Sequence, residues 1–302
     1  MPNWKELEAE VGQLGTIYDI TRRKYLSQLH QETGRNIIAY YSGWLQKPSF
    51  VDANFSEFII NDADKSAFMA VLKGLDKSKG LDLFLHTPGG DIAATESLVD
   101  YLRALFGTNI RAIIPQLALS AGSMVACACS SIVMGKHSSI GPIDPQLDGM
   151  PAQGILDEFD RARTEIVGNP SLINLWQPIL SKYPPTLIGQ CLKSVKWAEQ
   201  IVRDWLDSGM FAPLGDAQRA GAVDKVISGL GHNTTLTHNR HISVQRAADL
   251  GLVVERLEEP GNETLQDLVL SVHHAYVMTL ADTSTIKIVE NHNGIAVASS
   301  AE

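Results

Sequence analysis

The chain has 302 residues, of which 44% are apolar and 20% are charged, a composition that excludes a disordered protein and allows one large or two ordinary domains. Its formal charge of −9 disfavours binding to nucleic acid or anionic lipid, because the basic residues are scattered and their densest run is residues 22–24. The cysteines, Cys127, Cys129 and Cys191, show neither disulfide nor zinc spacing, which predicts reduced thiols and a cytoplasmic protein.

The first half of the chain alternates predicted strands and helices. An amphipathic helix is predicted from Trp4 to about Gly34, and this segment lacks the pattern of a signal peptide. Strands are then predicted at RNIIAYYSGW, LDLFLHTPGGD, NIRAIIPQLA and SIVMG, and helices at NDADKSAFMAVLKGLDKSKG, AATESLVDYLRALFG and AGSMVACACS. The alternation predicts parallel βαβ units, in which apolar strands form a sheet covered on both faces.

Residues 112–135 carry no charged side chain and are the one candidate membrane span of the sequence. The stretch also contains Pro115, Gln116 and four serines, and such breakers and polar groups disfavour a lipid-facing helix. We therefore predict a buried strand, a turn and a buried helix here, in a protein that has no membrane span.

The second half is more helical. Residues 157–210 are predicted to be mostly helix, interrupted by Pro184 and Pro185. Two later segments, AQRAGAVDKVI and AADLGLVVERL, are each predicted to be a helix that returns through a glycine into a short strand. We expect an α/β fold with a helical N-terminal arm at residues 1–34, a core at residues 35–230 and a C-terminal extension at residues 231–302 that packs on the core.

Two strand ends carry the groups that a nucleophilic site requires. Gly89 and Gly90 follow one predicted strand, at the edge where open α/β sheets bind ligands, and Ser120 lies between the next strand and a helix. If these junctions face each other, the Ser120 hydroxyl lies beside an oxyanion hole. One donor of this hole is the N–H of Gly90 or Gly89, and the other is the N–H of Ala121. Gly-Gly is also a common turn, and serine is also a common N-cap, so spacing alone leaves both interpretations open.

HTPGGD, LSAGSM and MGKHSSIGPIDPQ resemble motifs of the Clp-protease and crotonase-like serine peptidases, above all the serine dehydrogenase proteinases, which are relatives of signal peptide peptidase A. TGRNIIAYYSGWLQK, WQPILSKYPP and IKIVEN extend the resemblance, which runs from about Thr21 to Gly294. The resemblance implies a Clp-protease/crotonase-like core of stacked ββα units.

The resemblance also implies roles for individual residues. It implies that Ser120 is the nucleophile. Gly89 and Gly90 match the oxyanion-hole turn, and Ala121 matches the second oxyanion donor. Ser123 stands where a threonine or a small residue is expected, and this hydroxyl either serves the site or packs the helix.

The resemblance does not identify the proton acceptor. Clp-like relatives place a histidine after the SSIG-like segment, where this chain has Ile143 and Asp144. His137 lies several residues earlier. Asp144 and His137 are therefore alternatives for the base.

The signal-peptide-peptidase branch uses a lysine from a later helical region, for which Lys182, Lys193 and Lys196 are candidates. A lysine acts as a base only where burial lowers its pKa towards neutrality. Lys182 is favoured, because apolar neighbours and two prolines could hold it rigidly at the head of a helix, whereas Lys193 and Lys196 share a helix with other charged residues.

The predicted function is serine-type hydrolysis of extended peptides, bound by strand addition beside Gly90, in a homo-oligomer that needs no cofactor and no metal. The pairs His273–His274 and His238–His241 lack a carboxylate at ligand spacing, which disfavours zinc. Two other functions stay open. A crotonase-type acyl-CoA enzyme would need a basic phosphate-binding patch, which the sequence does not show, and a catalytically silent peptide-binding scaffold is suggested by the missing Clp-type histidine.

Overall fold

The strands of the protein form one large sheet and two small ones. The computed structural model describes residues 15–147 and 149–301. In chain order its strands are β1 (Asn36–Ser42), β2 (Leu81–His86), β3 (Ile110–Ile114), β4 (Leu117–Ala118), β5 (Ser131–Met134), β6 (Ser139–Ile140), β7 (Gln146–Leu147), β8 (Met150–Pro151), β9 (Ile242–Ser243), β10 (Val254–Arg256), β11 (Thr285–Asn291) and β12 (Ala296–Ser300). Within the described residues the large sheet has seven strands in the order β10-β5-β3-β2-β1-β11-β12, and the first five are parallel.

Helices connect these strands and cover the sheet. They are α1 (Ile17–Thr33), α2 (Pro48–Phe58), α3 (Asp62–Leu72), α4 (Ile92–Phe106), α5 (Ala121–Cys127), α6 (Ala152–Gly168), α7 (Ile173–Leu180), α8 (Leu187–Ser208), α9 (Asp216–Leu230), α10 (His232–Thr235), α11 (Val244–Asp249) and α12 (Glu263–Asp282). The mixed α/β fold with a mostly parallel sheet confirms the predicted fold class.

Both faces of the sheet are buried at its central strands, as the apolar strands predict, whereas the edge strand β12 is exposed. All seven residues of β1 are buried, and its side chains alternate between two cores because successive residues of a strand point to opposite faces. Ile38 and Tyr40 face the core that contains α4, α5, α8 and α9, whereas Ile37 and Tyr41 face the core formed with α1 and α12. The sheet therefore carries helices on each side.

The N-terminal and C-terminal segments complete this layered structure. In the predicted arm, residues 1–14 lie outside the described residues, and α1 packs against α12. The predicted C-terminal extension supplies β10 at one end of the large sheet and β11 and β12 at the other. β11 pairs antiparallel with β1, so this segment takes part in the central sheet itself.

The segment AQRAGAVDKVI corrects one prediction. It belongs to the single helix α9 and contains no strand. Val223, Val226, Ile227 and Leu230 are buried and recur at helical spacing, so a helix buries all four against the core. Gly221 is exposed and has open space around its Cα, and it is tolerated inside the helix. The matching segment AADLGLVVERL does turn from α11 into β10, as predicted.

The uncharged stretch from residue 112 to residue 135 lies inside the protein. It forms the end of β3, then β4, α5 and β5, and every residue of α5 is buried. Ser123, Ser130 and Ser131 each donate a hydrogen bond to a protein acceptor. Among the helices of the described residues, none is long and apolar enough to cross a membrane.

Candidate active site

Two turns at the carboxyl edge of the sheet touch each other. β2 leads into the Pro-Gly-Gly turn, and β4 leads into Ser120 and α5. The turns are tied by a short parallel bridge between Thr87 and Ala118, in which Thr87 N–H donates to Leu117 O and Leu119 N–H donates to Thr87 O. Because parallel strands end at the same edge of a sheet, residues far apart in sequence meet at this point.

Ser120 has a backbone conformation that side-chain-bearing residues rarely adopt. Its φ is 51° and its ψ is −117°, at the junction between β4 and α5. Its side chain accepts no capping hydrogen bond from α5, so it does not act as the N-cap that the sequence alone allowed. Strain of this kind is found at functional sites, where the surrounding structure enforces it. The conformation holds the hydroxyl at the cleft beside the Pro-Gly-Gly turn.

Gly89 provides the space for that hydroxyl. Its φ is 120°, and a Cβ at this position would lie 2.6 Å from Ser120 Cβ and 3.1 Å from Ser120 Oγ. Only glycine fits here without displacing the serine. Its own N–H donates to Thr87 Oγ1 at 3.2 Å. The amide of Gly89 therefore stabilises the turn.

The N–H groups of Gly90 and Ala121 are available as donors. Ile60 N–H donates to Gly89 O at 2.8 Å and Asp91 N–H donates to Ile60 O at 2.9 Å, which places Gly90 between the two bonds of a parallel bridge. The 89–90 peptide is trans, so the Gly90 N–H points away from Ile60. Ala121 begins α5, where N–H groups lack intrahelical acceptors. Within the described part of the chain, neither N–H is bonded to an acceptor.

A cleft of about 590 Å³ opens beside these groups. Its lining residues with polar side chains are Asp91, Ser120, Asp144, Gln146, Ser194 and His238. Its apolar lining residues are Phe55, Ile59, Pro88, Ile92, Ala121, Met124, Ile143, Pro145, Leu147 and Trp197. Neither lysine nor arginine is among the described residues that line it. The cleft thus offers a serine, two backbone donors, a histidine and apolar walls to one ligand.

His238 and Asp144 form a pair within this cleft. His238 Nδ1 lies 2.9 Å from Asp144 Oδ1, and the Asp144 side chain is only 3% exposed. A hydrogen bond from Nδ1–H to a carboxylate leaves Nε2 of the neutral ring as a proton acceptor. The loop that carries His238 is anchored where the Arg240 guanidinium donates to Thr234 O and Thr235 O, and where β9 pairs with β6. This arrangement can accept a proton and stabilise the resulting imidazolium.

The predicted lysines lie elsewhere. Lys182 is exposed in the turn after α7, and Lys193 and Lys196 are exposed on α8. None of the three lines the cleft that contains Ser120. The predicted role of Lys182 depends on burial, which the structure does not provide.

The other predicted residues divide between the cleft and its support. Ile143 and Asp144 line the cleft, whereas His137 is exposed in the turn after β5 and is not among the lining residues. Ser123 is buried, and its Oγ donates to Ala118 O at 2.9 Å and accepts from Gly141 N–H at 2.8 Å. Ser123 thus ties α5 to the loop that carries Ile143 and Asp144.

His238 is the residue of this cleft that sequence reasoning considered only as part of a metal pair with His241. Its partner Asp144 lies 94 residues earlier, and no local spacing joins the two. One sequence feature could have pointed to a histidine base: Asp144 stands where Clp-like relatives have their histidine. That feature suggests a histidine from another part of the chain, but nothing in the sequence distinguished His238 from the other histidines.

A mostly parallel sheet, with a serine at a strand-to-helix junction beside a Gly-Gly turn, is the arrangement of the ClpP-like class of α/β proteins. A family model described as ClpP-like SDH-type serine proteinase matches residues 16–260, and the chain belongs to this family of serine proteinases. The match confirms the family that the motifs predicted.

Individual similarities are more distant. The uncharacterized protein MJ1495 of Methanocaldococcus jannaschii is 27% identical over 238 residues, which cover 78% of this chain and 73% of that protein. The uncharacterized protein MJ0137 of the same organism is 26% identical over 192 residues, which cover 64% of this chain and 59% of that protein. Among solved structures, the S97A mutant of the 1510-N membrane-bound stomatin-specific protease is 16% identical, with a TM-score of 0.39, over 69% of this chain and 79% of that one.

Proposed function

We propose that the protein is a serine peptidase in which Ser120 is the nucleophile, His238 is the general base and Asp144 orients the histidine. The N–H groups of Gly90 and Ala121 bind the oxyanion. The observation that carries this proposal is that Ser120 and the hydrogen-bonded pair His238–Asp144 line the same cleft. The proposal replaces the lysine base of the sequence prediction with a histidine.

Each group has one task in this mechanism. The imidazole of His238 accepts the Ser120 hydroxyl proton as Oγ attacks the peptide carbonyl carbon. The carbonyl oxygen becomes an oxyanion, and the N–H groups of Gly90 and Ala121 donate to it. The imidazolium then protonates the leaving amine, and Asp144 stabilises its positive charge until that transfer. Water, activated in the same way, releases the acyl group from Ser120.

The substrate proposed for this cleft is an extended peptide. Gly90 already takes part in a strand-like bridge with Ile60, and main-chain hydrogen bonding along the turn would align a peptide with the nucleophile. Assembly into a homo-oligomer and a cytoplasmic location are proposed with it, on the resemblance and the cysteine usage respectively. An acyl-CoA substrate is not favoured, because neither lysine nor arginine is among the described residues that line the cleft, and these are the side chains that bind phosphate best.

Covalent labelling tests the nucleophile directly. A fluorophosphonate probe reacts only with an activated serine, so we expect labelling of the wild-type protein and none of Ser120→Ala. Absence of labelling in a folded wild-type protein would favour the silent peptide-binding scaffold.

The identity of the base is tested by four variants. We expect His238→Ala and Asp144→Asn to lower kcat by about 10²- to 10⁴-fold, the contribution of a positioned proton-transfer group. Lys182→Ala should retain wild-type kcat, because this side chain is exposed away from the cleft. His241→Ala is the matched control, since His241 is an exposed histidine in the same loop. Loss of activity in Lys182→Ala together with an active His238→Ala would restore the serine–lysine mechanism.

A further inference from the structure

A buried lysine lies behind the site and is not used by the proposed chemistry. Lys287 on β11 is 5% exposed, and its Nζ donates to Ile59 O at 2.7 Å. The same Nζ lies 3.1 Å from Oδ1 of Asp64, which is 4% exposed. Asp64 also accepts from Tyr40 O–H at 2.9 Å and from Asn61 N–H at 3.0 Å. A buried ammonium is costly unless fully compensated, so its contact with one particular carbonyl requires an explanation.

That carbonyl belongs to the peptide group that holds the Pro-Gly-Gly turn. Ile59 O and Ile60 N–H are the two ends of one peptide, and Ile60 N–H donates to Gly89 O at 2.8 Å. Gly89 O and Gly90 N–H are in turn the two ends of the peptide group between Gly89 and Gly90. A continuous line of hydrogen bonds therefore runs from the Lys287 ammonium through two peptide groups to the Gly90 N–H.

We propose that Lys287 is a positioning residue for the oxyanion hole, and that its ammonium orients and polarises the Gly90 N–H through the 59–60 and 89–90 peptides. The inference rests on the proposed function, in which Gly90 binds the oxyanion. Hydrogen bonds in a chain strengthen one another, and a low local dielectric enhances the effect. A positive charge at the head of the chain makes the last N–H a better donor to the charge that develops in the transition state.

The opposite face of the same strand provides an internal comparison. Glu290 on β11 is fully buried and pairs with Arg22, which is also buried. Tyr276 O–H donates to the same carboxylate. This pair lies in the core formed with α1 and α12, on the side of the sheet away from the cleft. It resembles the Lys287–Asp64 pair in burial and charge but contacts neither turn of the site.

The test compares neutral replacements of the two pairs. Lys287→Met with Asp64→Asn removes both charges together, so that no carboxylate is left buried alone. We expect kcat for peptide hydrolysis to fall about 10- to 100-fold, somewhat less than the loss of a whole oxyanion donor, with KM changed less than about twofold. Lys287→Gln with Asp64→Asn keeps a neutral donor, and its kcat should fall between those of the wild type and the methionine variant. This second variant also serves if the first does not fold.

Arg22→Met with Glu290→Gln is the control, and it should lower the melting temperature while leaving kcat unchanged. A trifluoromethyl ketone peptide, whose adduct with the serine carries an oxyanion, should bind the Lys287 variants more weakly by the same factor as the loss in kcat. Wild-type kcat and wild-type inhibitor affinity in folded Lys287 variants would overturn the inference and leave the proposed function intact. Absence of fluorophosphonate labelling in the wild type would overturn the proposed function, and this inference with it.

Discussion

Ser120 combines the chemistry of the site with a backbone conformation that is unfavourable for any residue except glycine. Its positive φ follows from its place between β4 and α5, where the chain must reverse while the hydroxyl stays beside Gly89. Residues in such conformations cost on the order of 1–3 kcal/mol each, which the surrounding structure must offset. The stability of the fold would therefore favour glycine at position 120, whereas the proposed activity requires the serine hydroxyl.

Two substitutions at this residue are expected to separate the two effects. Ser120→Ala should lower kcat by about four to six orders of magnitude with an unchanged fold, because it removes one hydroxyl at the cleft. Ser120→Gly should be equally inactive, but it should exceed Ser120→Ala in free energy of unfolding by about 1 kcal/mol, since glycine tolerates the positive φ. Peptide hydrolysis and urea denaturation measure the two quantities. Equal stability of the two variants would show that the backbone conformation is not strained.

At the scale of elements, the cleft is built by segments that lie far apart along the chain. The Pro-Gly-Gly turn and the start of α4 line it, as does the start of α5 beside Ser120, and α8 contributes Ser194 and Trp197. Both carboxylates that line the cleft are already bonded: Asp91 accepts from Ala94 N–H at the start of α4, and Asp144 pairs with His238. The remaining walls are largely apolar, so we expect the cleft to bind an apolar side chain of the proposed peptide substrate better than an acidic one.

The wall supplied by α8 makes this preference testable. Trp197 is 40% exposed and lines the cleft. We expect Trp197→Ala to raise KM for peptides with a large apolar residue near the scissile bond by about tenfold while kcat changes little, the signature of lost uniform binding. Leu192→Ala is the matched control, because Leu192 is exposed on the same helix but does not line the cleft. An equal effect on peptides with an acidic residue at that position would contradict the apolar subsite.

At the scale of the whole molecule, a buried aromatic cluster in the interior makes stability depend on pH. His86, the last residue of β2, is fully buried, and its ring lies 4.4 Å from that of Trp44 and 5.4 Å from that of His273, centroid to centroid. Burial, and then the neighbouring His273, lowers the pKa of His86 to about 3. Burial, and then the nearby His274 and His137, lowers the pKa of His273 to about 4.

The sign of the effect follows from linkage. Both histidines have lower pKa values in the folded protein than the 6.5 of an exposed histidine, so the unfolded chain binds more protons on acidification. Their contribution to stability is fully present above pH of about 6.5 and is lost as the pH falls towards the folded values. We expect the free energy of unfolding to fall by up to about 1.4 kcal/mol per pH unit for each histidine in this range.

Urea denaturation between pH 8 and pH 5 measures this slope. His86→Phe keeps an aromatic ring in the cluster and should remove about a third of the slope, because burial also lowers the pKa of His292 to about 4 and that histidine adds to the slope with His86 and His273. His241→Gln, at an exposed position, should leave the slope unchanged. An unchanged slope in His86→Phe would mean that other groups cause the acid sensitivity.

The sequence alone determined the layered α/β core. Runs such as NIIAYYS and LDLFLH can bury every side chain only in a sheet covered on both faces, and amphipathic segments such as Ile92–Phe106 supply the helices that cover it. The Pro-Gly-Gly turn and Ser120 could also be found from the sequence, because each stands at a strand end and the motifs around them resemble one family. Local pattern is sufficient for such features, since they depend on neighbouring residues.

The tertiary structure decided which distant groups meet. His238 reaches Asp144 across 94 residues, Lys287 reaches Ile59 across 228, and β11 inserts between β1 and β12 in the sheet. Lys182, which was expected to be the base, is exposed. Its apolar neighbours and prolines in the sequence could not show whether packing of the whole chain would bury its side chain. Pairings of this kind depend on the packing of whole elements, which the spacing of residues along one segment does not encode.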